Sequence, residues 1–310
     1  MATLLISHPS FLQHDTGPYH PERADRLRAI LAALDDPAFA EQPRLEAPIA
    51  SLSDVVRVHP EDYVEAILGI QPSPGELVQV DGDTVMSAGS AEAVARAAGA
   101  AIIGVDAVMT GQVRTAFAAV RPPGHHASPD TPGGFCLFNS AAIGARHAQA
   151  RHGAERVAIV DFDVHHGNGT QEIFWADESV LFCSTHQAPF YPGTGGRNET
   201  GAHDNIVNAP LFAGSTGDAF REALDDRILP RLQAFAPDLI LISAGFDAHE
   251  RDPLGGLRLR ETDFGDATKR LMEIADRRCG GRIVSMLEGG YDVDALSRCV
   301  SAHVLALIGA

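Results

Sequence analysis

Long apolar runs, paired cysteines and clustered basic residues are all missing from this 310-residue chain. No run approaches the ~20 apolar residues that a bilayer span needs, and the opening Met-Ala-Thr-Leu-Leu-Ile-Ser lacks the positive segment and long apolar stretch of a signal peptide. The expectation is a cytoplasmic protein with no membrane partner. The four cysteines, Cys136, Cys183, Cys279 and Cys299, lie far apart with no Cys-x-x-Cys, so reduced buried thiols are expected and a disulfide framework is not. Lys and Arg number 24 against 41 Asp and Glu, a formal charge of −17, and no basic cluster could displace counterions from a phosphate backbone. Nucleic acid is not expected as a partner. The acidic balance favours solubility and would also draw in cationic substrates over about a Debye length; charge alone does not choose between these uses. Only Lys269 stands against 23 Arg, a bias with no mechanism attached.

Apolar residues make up 45% and charged residues 21%, with 30 Gly and 19 Pro, the proportions of an ordinary globular protein. A chain of this length buries roughly 75% of its unfolded surface, and one domain over residues 1–310 is expected. Short apolar runs bounded by polar, Gly or Pro residues predict buried parallel strands at Thr3–Ser7, Thr115–Val120, Arg156–Val164, Val180–Ser184, Asp238–Ser243 and Arg282–Leu287. Helical spacing predicts helices over Pro21–Leu34, Ser87–Met109, Asn139–His152, Ser215–Phe235, Glu261–Cys279 and Asp292–Ile308. Alternation of the two predicts an α/β protein with a parallel sheet covered on both faces. Ligands of such sheets bind at the carboxyl ends of the strands, so the Gly/Pro-rich loops at 121–134, 187–204 and 251–257 are where chemistry is sought.

After the third of these strands the chain reads Asp161-Phe-Asp163-Val-His165-His166-Gly167-Asn168, and period-two geometry puts Asp161, Asp163 and His165 on one face. Ionised groups converging there need a cation or hydrogen bonds, unless the strand end is simply solvated. Ser243-Ala-Gly-Phe-Asp247 adds a carboxylate at another strand end. Asp163, His165 and Asp247 would leave a fourth position open for water, the arrangement of a catalytic zinc site. His125-His126, after the rigid Arg121-Pro-Pro-Gly124, suits proton transfer: one imidazole as base and then acid, the other tuning it. Glu288-Gly-Gly-Tyr291 puts a phenol at the rim, where it could donate to a developing oxyanion.

With these segments in place, the chain resembles the histone deacetylase family, which includes the histone deacetylase-like, acetoin-utilisation and acetylpolyamine amidohydrolases. The likeness runs from His20-Pro-Glu-Arg-Ala-Asp-Arg26 through Arg121 to Ala127, Gly133 to Asn139, Asp161 to Thr170, Tyr191-Pro-Gly-Thr-Gly195 and Ser243 to Asp247, ending at Gly289-Gly-Tyr291. Asn168 and His20-Pro-Glu-Arg23 look like its class II branch. The resemblance implies a three-layer α/β/α arginase-deacetylase fold with a mostly parallel eight-stranded sheet. It also implies one Zn²⁺ per chain on Asp163, His165 and Asp247. His126 matches the general base and acid, His125 its electrostatic partner, and Asp161 and Asn168 the groups behind them. Tyr291 matches the residue that polarises the carbonyl. Phe135 and Tyr191 match the aromatic walls of an acyl-lysine tunnel, with Tyr191 standing where many relatives have phenylalanine. The Gly134 carbonyl matches the acceptor of the scissile N–H, and Arg26 the arginine lining an acetate channel. A structural K⁺ is implied at Asp161, Ser184 and the carbonyls of Asp163, His165 and Thr185.

The implied activity is zinc-dependent hydrolysis of acetyl groups from the lysine ε-amine of proteins or peptides by metal-activated water. Leu254 occupies the position where relatives preferring acetylpolyamines carry a gatekeeper glutamate, which favours a lysine substrate over an acetylated polyamine. Two other classes compete. A binuclear manganese ureohydrolase would need an Asp-x-Asp where this chain has Gly245-Phe-Asp247. A non-catalytic acyl-ligand-binding protein would be favoured by loss of Tyr291, the histidine pair or a ligand, and all are present. Acyl-chain preference and homo-oligomerisation stay open at this stage.

Overall fold

The structure, a computed structural model, describes residues 2–309. Its strands are β1 (Thr3–Ser7), β2 (Arg44–Glu46), β3 (Val78–Gln79), β4 (Val85–Met86), β5 (Thr115–Ala118), β6 (Val157–Asp161), β7 (Val180–Gln187), β8 (Ile206–Leu211), β9 (Leu239–Ala244) and β10 (Ile283–Leu287). Eight of them form one parallel sheet in the order β2-β1-β5-β10-β9-β6-β7-β8, while β3 and β4 pair as a separate hairpin. Every residue of β5, β6, β7, β9 and β10 is buried, as strands covered on both faces must be.

The helices are α1 (Ala24–Leu34), α2 (Leu52–Val55), α3 (Glu61–Gly69), α4 (Ser90–Met109), α5 (Ser140–His152), α6 (Asn168–Ile173), α7 (Gly217–Ala223), α8 (Leu229–Phe235), α9 (Glu261–Arg278) and α10 (Val293–Ile308). α4 packs on α5, while α10 packs on both α1 and α9, so the sheet lies between two helical layers. α5 shows how local sequence sets these elements. Asn139 caps it by accepting from the Ala142 amide at 3.0 Å, and Gly153 ends it in the left-handed conformation, φ +68°.

The sequence misses four strands, the short β3–β4 hairpin and two strands of the central sheet, and misplaces several boundaries. β2 is an edge strand of three exposed residues, so it shows no buried apolar run. β8, the other edge, carries Asn208 and Pro210, and Pro is tolerated at an edge where its missing N–H breaks no ladder. The helix expected over Ser215–Phe235 is two α-helices joined by a π-helical stretch, Leu224–Ile228. Pro230 cannot donate an intrahelical hydrogen bond, and the wider turn absorbs the gap. β6 ends at Asp161, so Asp163 and His165 lie in the following loop, not on a continuing strand face.

Behind the central strand ends sits a buried charge network. Glu22 accepts from Arg121 Nε at 2.5 Å and Nη2 at 2.7 Å, and from Arg26 Nη1 at 3.0 Å, with all three side chains fully buried. Burial alone would raise the Glu22 carboxyl, but the two guanidiniums hold it well below the usual carboxylate range. Arg26 also donates to the carbonyls of Gly290 and Glu288, both at 2.5 Å, tying α1 to the end of β10. Glu22→Gln should therefore destabilise the fold by about 3–5 kcal/mol at neutral pH. Because the folded value lies below the ordinary 4.5, this contribution is complete above that pH and fades as pH falls through and beneath it. Thermal unfolding from pH 7 to pH 3 checks this: the wild-type and variant midpoints should converge on acidification, and parallel curves would refute it.

Candidate active site

β5, β10, β9 and β6 are neighbours at the centre of the sheet, and each is followed by one of the polar motifs. Parallel register brings the four carboxyl ends together, with Asp161 level with Ser243 and Met286 level with both Ser243 and Ala118. Asp163, His165 and Asp247 thereby converge: His165 Nδ1 lies 3.1 Å from Asp163 Oδ1 and 3.2 Å from Asp247 Oδ2. Asp163 and Asp247 are buried and His165 nearly so.

The donor chemistry fits a divalent cation. Ligands held ~2.0–2.1 Å from a tetrahedral zinc stand roughly 3.3 Å apart, close to the observed separations. Without a cation, burial and the charge of Asp163 push the Asp247 carboxyl up to about 7. Burial disfavours charge on His165 as well, yet its hydrogen bonds to both carboxylates raise it to about 10. The other carboxylate oxygens are fixed: Asp163 Oδ2 accepts from the Gly289 amide and Asp247 Oδ1 from the Val164 amide, both at 2.8 Å. A Cβ at Gly289 or Gly245 would run into these carboxylates, which explains glycine at both positions.

The adjacent histidines are held in opposite charge states. His125 Nδ1 lies 2.8 Å from Asp161 Oδ2, and although burial opposes its charge, Asp161, Asp163 and Glu288 hold it well above the ordinary imidazole value. His126 is driven well below that value by burial and by the charges of His125 and His165. Its Nδ1 donates to Asn168 Oδ1 at 2.7 Å, leaving Nε2 free as an acceptor.

A cavity of about 400 Å³ opens over these groups, lined by His126, Gly134, Phe135, His165, Tyr191, Leu254 and Tyr291. Phe135 and Tyr291 meet edge to face at 5.9 Å, and Tyr191 meets His126 in the same manner at 5.1 Å. Phe135 has φ +70°, an unfavourable conformation for a bulky residue. Its amide is held by Thr84 Oγ1 at 3.1 Å, and that of Gly134 by Asp83 Oδ1 at 3.0 Å. Burial and the nearby Asp247 keep the Tyr291 phenol protonated despite Arg26, whose guanidinium lies 4.9 Å over the ring.

Arg26 reaches this site from behind Tyr291 and does not line the cavity. Asp161 and Ser184 are register neighbours on β6 and β7, with Thr185 next; the Ser184 hydroxyl bonds His186 Nδ1 at 2.9 Å. The four cysteines are free and buried.

Sequence reasoning missed several residues. Asp83, Gln187 and Phe190 also line the cavity, and Phe190 stacks on His165 at 5.3 Å. Asp83 follows Asp81-Gly82, a hairpin-turn signal that predicts the β3–β4 turn but not its place in the wall. Glu288 accepts from the amides of Gly124 and His125 at 2.7 and 3.2 Å, and burial pushes it up to about 7. Asp252 accepts from the amides of Tyr291, Asp292 and Leu254 at 2.6, 3.2 and 2.9 Å, fastening two loops of the rim together.

The family model described as the histone deacetylase domain matches residues 20–307. The chain belongs to the histone deacetylase family. It is 41% identical to a probable deacetylase of Archaeoglobus fulgidus over 99% of this chain and 86% of that one. It is 38% identical to the histone deacetylase-like amidohydrolase of Pseudomonas aeruginosa, covering 94% and 77%. The crystal structure of the HDA15 HD domain superposes with a TM-score of 0.92 at 36% identity, covering 99% of this chain and 88% of that one. The three-layer α/β architecture is thus that of the family, which also implies a hydrolase with a metal cofactor and an acetylated substrate.

Asp247→Asn tests the metal cluster. Removing one of its two carboxylates should lower the zinc content of protein equilibrated with buffered zinc by about one ion per chain and abolish turnover. Unchanged zinc content by elemental analysis would remove Asp247 from the ligand set.

Proposed function

We propose that this chain is a zinc-dependent deacetylase that hydrolyses acetyl groups from the ε-amine of lysine in peptides or proteins. The observation that carries this reading is the meeting, in one cavity, of a neutral His126, the neutral phenol of Tyr291 and the His165 arm of the two-carboxylate cluster. When bound by Asp163, His165 and Asp247, zinc would polarise the acyl carbonyl and lower the pKa of water towards ~7. His126 Nε2 takes the proton of the attacking water as the new C–O bond forms, since Nδ1 is committed to Asn168. It then delivers that proton to the nitrogen as the C–N bond breaks, leaving a free amine and acetate. His125, held protonated by Asp161, is a like charge beside the imidazolium that forms on His126, so it favours handing the proton on to the leaving nitrogen. Tyr291 donates its O–H to the carbonyl oxygen as negative charge gathers there.

Phe135 and Tyr191 flank the aliphatic stem, and the Gly134 carbonyl is assigned to the amide N–H. Acetate is assigned to leave past Arg26, and a structural K⁺ to Asp161, Ser184 and the carbonyls of Asp163, His165 and Thr185. Tyr291→Phe keeps the ring and loses only the donor, so kcat should fall by about 10²–10³ while substrate binding changes little. Near-normal kcat would remove Tyr291 from the chemistry.

One observation favours a second substrate class. Asp83 places a carboxylate in the cavity wall, where an acetylpolyamine's internal ammonium could pair with it. Leu254, also in the cavity wall, offers only apolar contact. An amine facing it loses a charge-assisted hydrogen bond of about 1.5–3 kcal/mol, roughly ten- to a hundredfold. Acetyl-lysine peptides should therefore exceed acetylspermidine in kcat/KM, and Leu254→Glu should shift that ratio towards the polyamine by about tenfold or more. A wild-type preference for acetylspermidine would replace the lysine reading.

A further inference from the structure

A second cluster of metal-binding character lies away from the cavity, where the C-terminal halves of α4 and α5 pack together. His147 Nε2 and His152 Nε2, both from α5, each approach the same atom, Asp106 Oδ1 of α4, at 2.7 Å. On its other side, His147 Nδ1 lies 3.3 Å from Asp54 Oδ1 of α2. Asp54 is itself held by Arg57 and by the Ser51 hydroxyl at 2.6 Å. His147 is buried, whereas Asp106 and His152 are partly open to solvent.

A neutral imidazole has one N–H, yet His147 meets a carboxylate oxygen at each ring nitrogen. If Nδ1–H goes to Asp54, the Nε2 lone pair faces Asp106 Oδ1, a contact that a second ring proton or a bound cation must bridge. A carboxylate orienting the outer nitrogen of a histidine whose inner nitrogen is free is the support that metal-binding imidazoles generally use. Asp106 also falls in the last turn of α4, where the helix dipole disfavours an anion and a cation would offset it.

We propose that Asp106, His147 and His152 form a second site for a zinc-like divalent transition ion, separate from the strand-end cluster, which clamps α4 to α5. Zinc at ~2.0–2.1 Å from each donor asks for ligand separations of roughly 3.3 Å, so the half-exposed Asp106 carboxylate must move by about half an ångström. Water completes the coordination on the exposed side. Two imidazoles and one carboxylate select zinc, cobalt or nickel over magnesium, whose preferred ligands are oxygens.

The test uses untagged, zinc-loaded protein dialysed against buffered free Zn²⁺, comparing wild type, His152→Ala and Asp106→Asn. Wild type should carry one zinc more than either variant, and only wild type should show a zinc-dependent rise in its thermal midpoint; Mg²⁺ should produce neither effect. Deacetylation should be retained in both variants, which also reports that they are folded. Should His152→Ala unfold, His152→Gln keeps the side-chain length and removes the imidazole ligand. Equal zinc content in wild type and the variants would overturn the site and leave an ion-pair cluster only. The result is separable from the catalytic reading, because Asp247→Asn removes the strand-end ion and leaves the difference made by His152 intact.

Discussion

The constraint on which the molecule depends is the burial of carboxylates side by side at the centre of the sheet. Asp161, Asp163, Asp247 and Glu288 are all shut away from water at adjoining strand ends. Isolated buried anions are too costly to persist, so each must be paired, hydrogen-bonded, protonated or bound to a cation. Pairing and hydrogen bonding are both in place here. Asp161 pairs with His125, Glu288 binds two backbone amides with its carboxyl pushed up to about 7, and Asp163 and Asp247 share the ring of His165. The last pair is the least well served, since one imidazole proton stands between two carboxylates, and that deficit is what makes the place a metal site.

The same crowding separates the roles of two adjacent histidines. His125 turns towards Asp161 and keeps a proton; His126, one residue later, turns towards the neutral amide of Asn168 and loses it. In the proposed reaction the base must be neutral at working pH, and the fixed charge of His125 helps to keep His126 so. This division depends on the partner behind each ring, because both side chains are buried to a similar degree.

Most of the centre of the fold was legible because buried parallel strands leave uninterrupted apolar runs. β6, β9 and β10 were readable within a residue or two at their starts, and the polar residues that follow them stood out by contrast. The edges were not legible. β2 exposes all three of its residues, and β8 is interrupted by Asn208 and Pro210, so neither carries the signature of a covered strand. In the site, residues carrying motif chemistry could be named from sequence, whereas Asp83, Asp252 and Glu288 act mainly by accepting backbone amides. A carboxylate used that way has no fixed spacing from the groups it serves, since its partners come from distant segments. The period-two argument also placed Asp163 and His165 on a strand that has already ended; their convergence comes from hydrogen bonds in the loop, Asp161 Oδ1 to the Asp163 amide at 3.0 Å and Asp163 Oδ1 to the His165 amide at 2.9 Å.

Those loop bonds show why the site can be rigid without lying on regular structure. Asp161 and Asp247 each use one oxygen on backbone and present the other to an imidazole, Asp161 to His125 and Asp247 to His165. Tyr291 is fixed from three directions, by Asp252 at its amide, by Arg26 beneath its ring and by Phe135 at its edge. Arg26 is in turn locked by Glu22 and by the Glu288 and Gly290 carbonyls, so the phenol has little freedom to follow a misplaced substrate. Catalysis by preorganised donors requires this kind of support, because a donor that must reorient when charge appears gives back much of what it contributes. Arg26 therefore bears on the phenol in two ways, by fixing its ring and by a charge that draws the Tyr291 value down against burial.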